Sequence, residues 1–130
     1  MTRVSKNPIK QKTFTKIFST FYEMIVDLHD KQEVKAVFEV FLSKAEKVML
    51  AKRLAIAVML KEGVDYRSIS QELKVSTATI REINSKLEVK SFNAFISKVT
   101  KQFDKNKQTS WLEAALKAKT DMKARGKLFR

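Results

Sequence analysis

The amino-acid sequence predicts an all-α protein, and three observations carry that inference. Two glycines and one proline in 130 residues leave little material for the tight turns that sheets require. Apolar residues recur at spacings of three and four along most of the chain. Hydrophobic residues at 44% and charged residues at 32% suit a globular chain with a real core rather than a disordered one.

The helices follow in order. Residues 1–12 hold Pro8 and no apolar periodicity, and read as a basic arm. Phe14, Ile17, Phe18, Phe21, Ile25 and Leu28 then mark one stripe of a helix over about 13–30. Val34, Val37, Phe38, Phe41 and Leu42 repeat the spacing on a shorter helix. Ser43 stands three residues before Glu46, a capping box that opens a third helix, expected to run to about Glu62 and stop at Gly63. Between Leu54 and Leu60 this helix is apolar on every side, so it must be covered on every side, and a chain of this length needs a second copy to help cover it. A homodimer is the expectation.

Asp65 can cap a helix over 66–73, Lys74 and Val75 form a break, and Ser76 can cap a helix to about Leu87. Ile69, Leu73, Ile80, Ile83 and Leu87 are spaced to pack together with Val75 in the turn, which makes the segment a helix-turn-helix. Ser91 opens a further helix carrying Phe92, Phe95, Ile96, Val99 and Phe103. Residues 104–110 read as a linker. Ser110 and Glu113 form a second capping box before a short amphipathic helix to about Ala124, with Trp111, Ala115, Ala118 and Met122 on one stripe. The expected organisation is thus an arm over 1–12, a helical dimerisation and DNA-binding domain over 13–104, and a basic tail over 105–130. Trp111 is expected to pack on the core, His29 to be a surface residue near a helix end, and Tyr66 a packed or capping neighbour.

Charge points to the partner. Twenty-seven basic against fourteen acidic residues leave +13, and the excess is uneven: +5 over 1–20, −3 over 21–40, +3 over 41–62, +1 over 63–90 and +7 over 91–130. A polyanion is the default partner, double-stranded DNA first and an anionic membrane surface second. Zero cysteines and one histidine argue against disulfides and metal sites, and two isolated glycines cannot build a phosphate-cradling loop. No nucleophile has a candidate base beside it, so no enzyme activity and no cofactor are expected. The longest apolar run, Leu54 to Leu60, is far short of the roughly 20 residues that span a bilayer. With no signal peptide in view, the expected compartment is the cytoplasm.

On the second helix of the pair the residues left outside the apolar framework are Thr77, Ala78, Arg81, Glu82 and Ser85, with Thr79 flanking. Small and hydroxylated side chains at a helix N-terminus allow close approach to DNA, and the free N–H groups favour phosphate. Arg81 is placed for a bidentate contact to guanine, with a discrimination of about 1–3 kcal/mol, and threonine methyl groups can meet thymine. Arg67 is placed for a phosphate or base contact, and Ser76 serves as cap. Glu82 opposes phosphate unless Arg81 or Lys86 neutralises it. Other readings of the same residues are a non-specific nucleic-acid binder, a transposase-type helix-turn-helix module, and a basic helical adaptor for anionic lipid or an acidic protein.

From Phe41 to Leu87, FLSKAEKVMLAKRLAIAVMLKEGVDYRSISQELKVSTATIREINSKL resembles the Trp repressor family, in particular a Trp-repressor-like group whose recognition helix reads STATI. The resemblance implies a Trp-repressor-like helix-turn-helix fold in an intertwined helical homodimer, here with an extra C-terminal helix, that binds operator DNA and represses transcription. It further implies recognition helices roughly 34–36 Å apart, meeting half-sites one helical turn apart. The family's DNA-contacting positions fall on Arg67 or Ser68, and on Thr77, Ala78, Thr79 and Arg81. Its corepressor pocket transfers poorly. Ser43 and Arg53 match the pocket wall, but Glu82 stands where a second arginine covers the indole, and Ile83 where a glycine makes room for the ring. A carboxylate cannot stack on an indole face as a guanidinium does, so tryptophan is not the expected corepressor.

Overall fold

The computed structural model describes residues 8–106 and 111–113. Among them every element is a helix, in the order α1 (Gln11–Val26), α2 (Lys31–Phe41), α3 (Lys44–Lys61), α4 (Tyr66–Leu73), α5 (Thr77–Lys86) and α6 (Lys90–Asn106). An all-α fold is what the composition and spacing require. The calls on residues 1–7 of the arm, on the linker over 107–110 with Ser110 of the second capping box, and on the tail beyond Glu113 lie outside the described residues, as does the side chain of Phe103.

The chain divides into two compact units, Met1–Val48 and Met49–Arg130. In the first, α1 ends four residues earlier than its stripe suggests. Asp30 is needed as the N-cap of α2, where its carboxylate accepts from the Glu33 N–H at 2.8 Å, and a cap residue must leave helical geometry. Phe21 of α1 stacks on Phe41 of α2 with ring centroids 5.6 Å apart, and Phe18 touches Phe14, Phe21 and Tyr22 along α1. Neither helix buries a residue, although both carry the predicted apolar stripes.

The start of α3 is the reciprocal box that Ser43 and Glu46 predict. The Glu46 N–H donates to Ser43 Oγ at 3.2 Å and the Ser43 N–H donates to Glu46 Oε1 at 2.8 Å. The Ser43 N–H, and after it the Ser43 hydroxyl, hold the Glu46 carboxyl below its ordinary value. Its far end is closed by Gly63 at φ 79°, a left-handed position open to glycine at little cost.

The second unit holds the core. Ile56, Ala57, Val58 and Met59 of α3 are fully buried and pack with Val64, Ile69, Ile80, Ile83, Leu87, Ile96 and Leu112. Leu54, at the start of the apolar run, is 36% exposed in the single chain. Burial within one chain thus covers only the C-terminal half of α3. Residues 104–106, read from sequence as the start of a linker, continue α6, because nothing between Asp104 and Asn106 breaks a helix.

Candidate nucleic-acid interface

The site begins with Asp65. Its carboxylate accepts from the Ser68 N–H at 3.2 Å and from the Ser68 hydroxyl at 2.8 Å, fixing the first turn of α4. Ser68 is only 1% exposed, so of the two positions Arg67 and Ser68 it is Arg67 whose side chain faces solvent. Ser68 is turned inward because Ile69 beside it belongs to the core face of this short helix.

After Leu73 the chain reverses through Lys74, which adopts the left-handed conformation at φ 55° and ψ 54°. A non-glycine residue pays roughly 1 kcal/mol or more for that geometry, so the surroundings must hold it. Three bonds do so. The Ser70 hydroxyl donates to the Val75 carbonyl at 2.7 Å, the Val75 N–H returns to the Ser70 carbonyl at 3.3 Å, and Lys52 Nζ from α3 donates to the Lys74 carbonyl at 3.2 Å. Ser76 then caps α5. Its Oγ accepts from the Thr79 N–H at 3.2 Å and lies 3.0 Å from the Thr79 hydroxyl.

Ile80, Ile83 and Leu87 sink into the core, which fixes the rotation of α5 about its axis. Thr77, Ala78, Arg81, Glu82 and Ser85 are therefore all exposed on the opposite face, while Thr79 is half-buried at the flank. Arg81 Nη2 lies 3.4 Å from Thr77 Oγ1, one turn back toward the helix tip. Among the described residues Arg81 enters no ion pair. Glu82 is the acid that receives partners, Lys86 Nζ at 3.6 Å and Arg53 Nη1 at 3.9 Å. The surface tip of α5 thus offers a guanidinium that, among the described residues, is in no ion pair, beside a carboxylate met by two cations.

The residues matched to a corepressor pocket have other occupations. Ser43 is the cap of α3, Arg53 leans toward Glu82, and Ile83 is 1% exposed within the core. Sequence reasoning read Arg53 as a surface ion-pair residue without finding its partner, since Arg53 and Glu82 are far apart in the chain. The break at Lys74 and Val75 stands where the sequence put it, but the part Lys52 plays in holding it was missed.

The family model described as Trp repressor protein matches residues 16–103, more than half of the chain and the whole of α4, the turn and α5. No curated protein and no solved structure matches.

Proposed function

The chain belongs to the Trp repressor family of helix-turn-helix DNA-binding regulators, and from that premise we propose that it is a sequence-specific, homodimeric transcriptional repressor that does not respond to tryptophan. The observation that carries this reading is the exposed tip of α5. Thr77, Ala78 and Arg81 face outward from a helix whose opposite side is locked into the core, so the tip enters a major groove without repacking. Arg81 reads guanine, Thr77 and Ala78 allow close approach with Thr79 at the flank, and the Ser76 cap shapes the tip. Arg67 contacts phosphate at the flank.

Two copies are required because α1 and α2 bury nothing within one chain. Phe14, Ile17, Phe18 and Tyr22 lie exposed along α1, more contiguous apolar surface than a monomer leaves in water. Against a tryptophan corepressor stand Ile83, which fills its position, and the Arg53–Glu82 contact. The reading needs no catalytic group and no cofactor, and the cytoplasm, where the chain would meet DNA, is its proposed compartment.

Selection of bound fragments from random duplex DNA, followed by affinity measurements on the enriched site, tests the proposal. Arg81→Ala is expected to weaken binding to that site by about 5- to 150-fold, the equivalent of about 1–3 kcal/mol, with little loss on scrambled DNA. An equal loss on both sequences makes Arg81 a phosphate contact, and no enrichment at all sinks the reading.

A further inference from the structure

The second unit holds a cavity of about 320 Å³ that its own core does not fill. The lining is Ala51, Lys52, Leu54 and Ala55 of α3, Leu73 at the end of α4, and Trp111. The sequence makes this space locally. Ala51 and Ala55 stand one turn apart on α3, so two methyl groups occupy a face that longer side chains would close. Ala51 and Leu54 are exposed and open the cavity to solvent, while Lys52, Ala55, Leu73 and Trp111 are half-buried. Its volume falls within the range of small-molecule sites, about 300–1,000 Å³, and takes on the order of ten water-sized groups at roughly 30 Å³ each.

Lys52 sets the chemistry of the cavity. Four aliphatic side chains and an indole surround one ammonium, whose Nζ donates to the Lys74 carbonyl at 3.2 Å. An ammonium has three N–H donors, and among the described residues Lys52 enters no ion pair. An apolar body that fills the cavity strips water from this cation, which costs free energy unless an anion meets it. The complement is therefore an apolar body carrying one carboxylate. A free α-amino acid fits badly, since it brings its own ammonium against Lys52. An apolar side chain from a second copy would likewise cover the ammonium with no acceptor for it. None of the lining residues is among Ser43, Arg53, Glu82 and Ile83, the positions matched to a corepressor pocket, and Trp111 lies beyond the family match, which ends at residue 103.

We propose that this cavity binds a small apolar carboxylate without an amino group, its chain against Ala51, Leu54, Ala55, Leu73 and Trp111 and its carboxylate on the Lys52 ammonium. The charge-assisted bond to Lys52 selects the anion, and the apolar walls supply the rest of the affinity by releasing water from both surfaces. The site does not depend on the DNA-binding reading, although Lys52 joins it to the turn that precedes α5.

The full chain is titrated with octanoate and with octanamide, a neutral molecule of the same length, following both the heat of binding and the fluorescence of Trp111, the only tryptophan in the sequence. Octanoate is expected to give a saturable change in Trp111 emission and to bind about 10-fold or more tighter than octanamide, the difference that a hydrogen bond between charged groups supplies. Lys52→Met is expected to bind the two ligands alike, and Lys52→Arg to keep the preference. Ala55→Leu fills the cavity and is expected to bind neither ligand, and Ala51→Leu, at the exposed mouth, makes the same test with less demand on packing. No saturable change with octanoate in the natural chain overturns the site, and equal affinity for the two ligands overturns the role of Lys52 and with it the carboxylate. Undiminished octanoate binding in Ala51→Leu and Ala55→Leu places the ligand elsewhere and overturns the site too. A natural chain that ignores octanoate, with an Ala51→Leu variant that sediments as single chains, gives the groove to a second copy instead.

Discussion

On the proposed reading, Glu82 and Ile83 together disfavour tryptophan as an effector. The Glu82 carboxylate lies between Arg53 and Lys86, and two exposed ion pairs of this kind contribute little to stability, about 0–1 kcal/mol each. On the proposed reading their effect is on recognition: they present a paired acid where an indole would need a cation over its face. Ile83 closes the space from the core side at 1% exposure. Isothermal titration of the protein with L-tryptophan is expected to show no binding in the micromolar range, and a micromolar Kd would reverse the assignment of both residues. The Glu82 role was readable from sequence only as a departure from a family pattern. Its partner Arg53 was not, because an ion pair across 29 positions leaves no local trace.

At the scale of single helices, the caps were the most legible features. Ser43 with Glu46, Asp65 and Ser76 each stand where their side chains accept backbone N–H groups, because capping depends on residues three apart and on nothing distant. The stripes were equally plain, but they announce that a face is apolar and not what covers it. That is why the run from Leu54 to Leu60 gave no sign that one chain covers Ile56 to Met59 and leaves Leu54 open. The end of α1 was missed for another reason, a competition between the Leu28 stripe and the Asp30 cap that only the folded chain resolves. The box at α3 carries a prediction about acid. Its hydrogen bonds lower the Glu46 carboxyl below 4.5, so the stabilisation is complete above that value and is lost as pH falls through the lowered folded value. Chemical denaturation from pH 7 to pH 3 is expected to show a smaller acid loss for Glu46→Gln than for the natural chain. Ser43→Ala is expected to cost about 0.5–2 kcal/mol at pH 7, and an unchanged midpoint would remove the box from the account of the helix.

On the scale of the whole chain, apolar surface is divided unequally. The second unit has a core of its own, whereas the first lays out Phe14, Phe18, Tyr22, Val40 and Phe41 in the open. Sedimentation equilibrium is expected to give twice the 15.0 kDa chain mass, and Phe18→Asp is expected to shift the population toward single chains and weaken operator binding with it. A natural chain that sediments at 15.0 kDa at micromolar concentration would contradict the dimer. The reversal at Lys74 bears on how such a regulator changes over generations. Because Ser70, Val75 and Lys52 fix the angle between α4 and α5 before any DNA arrives, none of the outward residues Thr77, Ala78, Arg81 and Ser85 is asked to maintain the scaffold. With these residues reading DNA as proposed, their identities are free to drift, so descendants of one ancestral protein can acquire new genomic addresses by a handful of substitutions while inheriting the same chassis.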